Sequence, residues 1–361
     1  MTDVNESSNC FYQEPYCGST AWFVINIITT TITLSGNLLT IGAILFSKRL
    51  SSVIANQFVF SLAVSDLLVG CSVPYHMAFY VVEHFGANKL NCLLRFVLIS
   101  FACSSSICNL LFIAADRYVA IVYPLHYVRL ITRKSSLVMI ILGWCMSFSV
   151  AVVPLMWNDW HQAPVCELIE VIPQNYMNFV VYPMFILIWV MMLLLYSRIC
   201  REATGHAKRM RSAGSCQNVA ILKDSKSIQV MLMILGCFTI CWLPYFVIAL
   251  YARYHKEAKS ALLYEIAFNL AVANSGMNPL IYAWKNHNFR AAFFTLLRCR
   301  SLNAYGSAQY VTNHVPSKKN SISNEDEFRC PSVCEQLELA EYKTDGDKNS
   351  LKSNGTVVDS V

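Results

Sequence analysis

The sequence predicts an all-α membrane protein: seven transmembrane helices in a bundle, a short amphipathic eighth helix and a disordered cytoplasmic tail. Three observations carry this. The 361 residues are 55% hydrophobic and only 14% charged, against about 45–50% and about 25% in soluble domains. The apolar excess is gathered into seven runs, each reaching the roughly 20 residues that a span needs. One of these runs carries a carboxylate, Asp66, at its centre, and a charge at bilayer depth is usually found facing a wet or polar interior.

In order, the runs are Ala21–Phe46, Val53–Phe79, Cys92–Val122, Ser136–Trp157, Tyr176–Cys200, Ser227–Tyr251 and Ala261–Trp284. They must be helices, because lipid offers backbone groups no hydrogen-bond partner. The expected organisation is an extracellular tail over residues 1–20, the bundle with its eighth helix over 21–300, and a cytoplasmic tail over 301–361. The first 20 residues carry Asp3, Glu6 and Glu14 and no basic stretch followed by an apolar one. The first span is therefore expected to act as the insertion signal.

Basic residues set the orientation. Lys48 and Arg49 follow the first span, Arg129, Arg133 and Lys134 the third, and Arg201, Lys208, Arg209 and Arg211 the fifth, while Lys285, Arg290, Arg298 and Arg300 follow the seventh. The loop with Arg253, Lys256 and Lys259 is the exception. The pattern places the N-terminus outside and the C-terminus inside, at the plasma membrane. The net charge of +6 reflects this topology, and no nucleic-acid partner is expected.

Of 15 cysteines, four fall on the outer side: Cys10, Cys17, Cys92 and Cys166. Four allow two bonds in three pairings. Cys92–Cys166 is favoured and would tie the second outer loop to the top of the third helix, and Cys10–Cys17 would close a small N-terminal loop. Asn5-Glu6-Ser7 is a glycosylation acceptor sequence at Asn5. From Ser301 onward the chain is rich in Ser, Asn, Lys and Glu, which is the composition of a disordered segment.

Polar residues lie at matching depth to Asp66 in three other runs: Asn37, Ser106, and the set Asn274, Ser275 and Asn278. Together they outline a polar, ion-binding cavity, which points to a receptor or transporter.

The spans also carry Gly36-Asn37, Leu62-Ala63-Val64-Ser65-Asp66, Asp116-Arg117-Tyr118, Trp144, Tyr196, Phe238-Thr239-Ile240-Cys241-Trp242-Leu243-Pro244 and Asn278-Pro279-Leu280-Ile281-Tyr282. In this order the chain resembles a rhodopsin-like (class A) G-protein-coupled receptor from Ala21 to Arg300. The resemblance implies a switch in which Arg117 is held by Asp224 at the start of the sixth span and received by Tyr196 and Tyr282 on activation. It implies that Trp242, Phe238 and Ile107 rearrange, about the kink at Pro244, to transmit binding. Asp66, Ser106, Asn274, Ser275 and Asn278 match the family's sodium site, so an allosteric sodium ion is expected and no other cofactor; a water network around a protonated Asp66 is the alternative. One departure stands out. The family's fifth-span proline would lie at Ile188, eight residues before Tyr196, but here it is Pro183, which puts the usual bulge in doubt.

After Trp284, Phe289, Phe293, Leu296 and Leu297 recur at helical spacing among basic residues. This is an interfacial amphipathic helix, ending at Cys299, a palmitoylation candidate or a plain thiol. The end Val358-Asp359-Ser360-Val361 has the form of a PDZ ligand. The Ser-rich tail suits receptor kinases and arrestin.

The stretch Trp144–Phe148, Pro154–Asn158, Cys166 and Pro173–Met177 is similar to adenosine receptors, but their ligand contacts are replaced by Leu168, Ala249, Ala271 and Val272. The position of an amine counter-ion is Ile99, and Val272 stands where a retinal-bearing lysine would be. The expected pocket, Arg95, Ile99, Cys103, Leu168, Tyr245, Phe246 and Asn269 with Glu265 near the mouth, is largely apolar with one cation. Arg95 would either bind a ligand acid or pair with Glu265, the pair being slightly favoured. The reading is a receptor that activates heterotrimeric G proteins in response to a lipophilic or acidic small molecule, or through basal activity. An adenosine-like or amine-like receptor with an atypical pocket is the alternative. A transporter lacks its repeat and paired broken helices, a decoy would not need Asp116-Arg117-Tyr118 or Leu125, and no catalytic constellation marks an enzyme.

Overall fold

The computed structural model describes residues 20–82, 84–163, 166–212, 218–254 and 261–298, and gives backbone only at 206–212, 218–228, 231, 253, 261 and 262. Asn5, Cys10, Cys17, Cys299 and the tail lie outside the described residues. Eight helices dominate: α1 Thr20–Phe46, α2 Ala55–Val81, α3 Lys89–Val122, α4 Arg133–Met156, α5 Tyr182–Ser212, α6 Asn218–Tyr254, α7 Ala261–Lys285 and α8 His287–Leu297. Among the described residues there is no strand. The shortest of the first seven, α4, has 24 residues. At about 1.5 Å per residue this is roughly 36 Å, enough to cross a hydrocarbon core of about 30 Å.

Among the described residues six helices are long and apolar enough to span a membrane by length and composition, α1 to α6. The seventh, α7, is diluted by Glu265, Asn269, Asn274, Ser275 and Asn278, which it turns into the bundle. Helix starts are set by local chemistry. Asn88 accepts from the backbone N–H of Leu90 and Asn91 at the start of α3, Thr132 and Ser135 form a capping box on α4, and Asn286 caps α8. Each satisfies N–H groups that have no partner inside the helix.

The core is shared by α1, α2, α3, α5, α6, α7 and α8, includes Phe58, Leu62, Leu110, Met192, Phe238 and Phe289, and has Met139 and Ile140 of α4 packed against it. α3 packs against α2, α4 and α5, and α1 packs against α2 and α7. A disulfide joins Cys92 to Cys166 and holds the loop between α4 and α5 over the bundle. That loop contains a short helix, Leu168–Val171, and buries Val171 and Ile172 in a second, outer cluster with Leu93, Phe96 and Tyr176.

The fifth helix keeps its bulge, displaced toward the outer end. Met177–Val181 is a π-turn closed by Tyr182 N–H donating to the Met177 carbonyl. Pro183 follows at once and has no N–H for the Phe179 carbonyl. The wider turn accommodates the lost bond. The π-turn thus lies directly before Pro183, away from Ile188.

Candidate functional site

The inner polar site is built by α1, α2, α3 and α7. The Asp66 carboxylate is fully buried. Ser106 Oγ donates to its Oδ1 at 2.7 Å and Asn278 Nδ2 to its Oδ2 at 2.8 Å, with Ser275 beside it. Asn37 Nδ2 donates to the carbonyls of Thr33 and Ser275 at 2.9 and 3.1 Å, tying α1 to α7. Asn274 is buried as well. Four of the five residues expected around an ion, Asp66, Ser106, Ser275 and Asn278, are thus brought together. Every donor to Asp66 is neutral, so an ionised carboxylate here would still lack a compensating charge. One carboxylate with two hydroxyl groups and amide oxygens is a donor set that suits a hard monovalent cation.

At the end of α3 away from the disulfide, Asp116 is 1% exposed and grips Arg117, whose Nε donates to Oδ2 at 2.7 Å and whose Nη2 donates to the same oxygen. Tyr127, in the short helix Pro124–Leu130, donates to Asp116 Oδ1 at 2.9 Å. Burial and the neighbouring Asp116 push the Tyr127 hydroxyl up to about 12, so it remains a donor throughout the physiological range. Tyr118 meets Tyr123 edge to face. Asp224 lies where only the backbone of α6 is described. Tyr196 and Tyr282 are both buried nearby. The Tyr282 hydroxyl has no hydrogen-bond partner among the described residues, and its ring stacks on Phe289 of α8 at 5.3 Å. Pro279 sits inside α7 and Pro244 inside α6.

Above this layer lies a cavity of about 160 Å³. Ile107 and Trp242 line its inner end, and Phe238 lies fully buried, 6.5 Å from Trp242 between ring centroids. Ile99, Cys103, Leu168, Tyr245 and Phe246 line it as expected from the sequence. Phe246 stacks on Phe185 at 3.6 Å. Residues of α4 and α5 that the sequence reading did not assign to the pocket complete the wall, notably Met146, Ser147, Val150, Met184 and Ile188. Their spacing of three or four residues is the signal that would have found them, since it places each set on one helix face.

Arg95, Glu265 and Asn269 do not line this cavity. Arg95 is only 9% exposed and turns toward α2. Its Nε donates to His76 Nδ1 at 2.9 Å, its Nη2 donates to Tyr80 Oη at 2.8 Å and lies 3.1 Å from His76 Nε2, and its Nη1 reaches the Cys166 carbonyl at 3.4 Å. Tyr80 in turn donates to Glu265 Oε1 at 2.8 Å. Arg95 and Glu265 are therefore linked through Tyr80 rather than paired directly. The guanidinium also lies over the rings of Phe79, Tyr80 and Phe96, so its planar charge is fully engaged. Asn269 Nδ2 donates to the Glu265 carbonyl. His76 and Tyr80 were missed in the sequence. A histidine in an apolar run was open to the same argument as Asp66.

A family model described as 7 transmembrane receptor (rhodopsin family) matches residues 36–282. The histamine H2 receptor of Canis lupus familiaris is 32% identical over 305 residues, which cover 81% of this chain and 83% of that protein. The adenosine receptor A2a of the same species is 28% identical over 94% of this chain and 82% of its own length. The alpha-1A adrenergic receptor of Bos taurus is 27% identical over 95% and 83%. With the buried Asp66 layer, the Asp116-Arg117-Tyr118 end of α3 and the prolines of α6 and α7 in place, this chain belongs to the rhodopsin family of seven-transmembrane, G-protein-coupled receptors.

Proposed function

We infer that this multi-pass plasma-membrane receptor, which signals through G proteins on binding a small molecule, takes a neutral, largely apolar ligand. The observation that carries this is the engagement of Arg95 by His76, Tyr80 and the Cys166 carbonyl. Among the described residues it removes the cation nearest the cavity that an acidic ligand could have used, and leaves a cavity walled largely by Ile, Val, Met and Phe side chains. A histamine-like, adrenergic or adenosine ligand is disfavoured. Ile99 supplies no carboxylate for an ammonium, and Leu168, Ala249, Ala271 and Val272 offer no side-chain hydrogen bonds to a nucleoside. A basal, ligand-independent output is the second reading, favoured by the covering of the cavity by Leu168 and Ile172.

In the mechanism, an apolar group against Trp242 and Ile107 biases the packing of Phe238, and α6 moves about Pro244. Arg117 then leaves Asp116, and Asp224 if that contact forms, for Tyr196 and Tyr282. A sodium ion held by Asp66, Ser106 and Ser275, with Asn274 and Asn278 around it, would favour the resting arrangement. The same reading puts the N-terminus outside, a glycan on Asn5, palmitate on Cys299, and receptor kinases, arrestin and a PDZ domain on the tail.

The test is a second-messenger panel in transfected cells, without ligand first and then with neutral lipophilic, acidic, nucleoside and amine libraries. The expected hits are neutral lipophiles, lost in Arg117→Ala at equal surface expression. Activation by a nanomolar amine or adenosine would sink the ligand class and leave the receptor assignment intact.

A further inference from the structure

The cavity is small for a ligand site. At about 160 Å³ it is well below the roughly 300–1,000 Å³ of ordinary ligand pockets. It is close to the size at which an apolar void of about 150 Å³ stays dry and takes a single benzene. A larger ligand must leave part of itself outside, so the position of the opening decides what the ligand is.

The outer side is covered. Leu168 and Ile172 of the loop after α4 line it, the Cys92–Cys166 disulfide anchors that loop to α3, and Val171 of the same loop is completely buried. The side between α4 and α5 is different. Both helices pack on α3, but they make only marginal contact with each other. Pro154 lacks the N–H that would bond the Val150 carbonyl, and the Tyr176 hydroxyl donates to that carbonyl instead, at 2.8 Å. This pins the outer end of the seam. Farther along α4, Gly143 lies so close to α3 that an added Cβ would sit 2.6 Å from Phe112 Cε2, which holds α4 on α3 rather than on α5. Between these positions α4 presents Met146 and Ser147 and α5 presents Met184 and Ile188, all of them lining the cavity. Met146 is 42% exposed on the lipid-facing surface. Methionines are flexible and fill or vacate a gap with little strain.

We propose that the seam between α4 and α5 is a lateral portal, through which a neutral single-chain lipophile reaches the cavity from the bilayer while the rest of the molecule stays in the membrane. The polar groups available along the route are serine hydroxyls: Ser104, whose Oγ donates to the Ser100 carbonyl, and Ser147, which faces Cys108 Sγ at 3.7 Å. They suit a hydroxyl-headed molecule and offer nothing to a carboxylate. The inference rests on the apolar-ligand reading above and adds the route and the ligand's shape.

The test uses the full-length receptor in phosphatidylcholine nanodiscs and a long-chain alcohol carrying a diazirine, with label positions mapped by mass spectrometry. Met146→Trp and Met184→Trp obstruct the seam. Leu194→Trp, on the lipid face of α5 outside the cavity, is the control. Label is expected at Ile99 and Cys103 in the unmodified receptor. It should arrive about tenfold more slowly in both obstructed variants, equivalent to about 1.4 kcal/mol of added barrier, and at the unmodified rate in Leu194→Trp. Equal rates in all four proteins would overturn the portal and leave the apolar-ligand reading standing. Label confined to lipid-facing positions such as Leu187, with none in the cavity, would overturn both. If an obstructed variant does not fold, the unmodified receptor decides. Probe preloaded in the bilayer must label the cavity sooner than probe delivered on albumin from the water, and the reverse order overturns the portal.

Discussion

Along the α1–α2–α7 flank the helices touch backbone to side chain. Along the α4–α5 flank they stand apart around a cavity. On the first flank a Cβ added to Gly36 would lie 2.9 Å from Pro279 Cβ, and one added to Gly70 would lie 2.8 Å from Leu34. The space is filled by polar groups with named partners: Asn37 to the Ser275 carbonyl, Asp66 to Ser106 and Asn278, and Arg95 to His76 and Tyr80 and so to Glu265. On the second flank the wall is aliphatic and sulfur-containing, and one tyrosine hydroxyl closes the outer end. The difference separates two tasks. Directional hydrogen bonds hold a fixed arrangement, since a buried polar group left unpaired is costly. Non-directional apolar contacts let side chains part and close again at little cost.

The sharpest way to break the comparison is Arg95→Ala. It strips His76 and Tyr80 of their donor and leaves Glu265 without its nearby cation, an effect of about 3 kcal/mol or more by analogy with broken buried pairs. Thermal unfolding in detergent should show a large drop in midpoint. Met184→Leu, a volume-conserving change on the other flank, should cost less than about 1.5 kcal/mol. Similar midpoints for the two variants would remove the distinction between the flanks.

Next is Gly36→Val, which forces α1 away from Pro279. It should cost about 1–3 kcal/mol through overpacking. Gly236→Ala, where an added Cβ meets nothing within 4 Å, should instead stabilise α6 by up to about 1 kcal/mol. The same unfolding assay checks both, and their opposite signs are the result to look for.

Asp66→Asn tests the inner polar layer. If the carboxylate holds sodium, the resting state gains from salt in the unmodified receptor and loses that gain in the variant. Coupling of this kind is typically about 1–3 kcal/mol. Basal second-messenger output titrated with sodium should fall in the first protein and stay flat in the second. Parallel curves would favour a hydrogen-bonded network without the ion.

The smallest effect is expected from Tyr176→Phe, which deletes the bond to the Val150 carbonyl at a net cost of about 1 kcal/mol. Its value is in direction. The seam should open more readily, so diazirine labelling at Ile99 and Cys103 should quicken while stability barely changes. Slower labelling would place the constriction elsewhere.

Much of this was legible in the residues. The ends of α1 and α7 differ from the sequence ranges by one residue at most, because an apolar run in lipid ends where polar residues begin. Other ends shifted more, most of all the end of α5, at Ser212 rather than Cys200, and the start of α6, at Asn218 rather than Ser227. α3 starts at Lys89 rather than Cys92 because Asn88 caps it, and α2 runs on to Val81. The Asp66 layer was readable because its members sit at equal depth from the helix ends. The partners of Arg95 were not. Its depth in α3 was known, but whether the guanidinium points into the cavity or toward α2 depends on the rotation of one helix against the other.

By itself the sequence determined the number of spanning helices, the buried charge and the apolar character of the pocket. All of these follow from the cost of placing polar atoms in hydrocarbon, which each segment meets on its own. Only the tertiary structure decided that Arg95 is taken up by His76 and Tyr80, that the bulge of α5 lies directly before Pro183, and that α4 and α5 leave a seam beside the cavity. These depend on distances between side chains of different helices, which spacing along one chain does not specify.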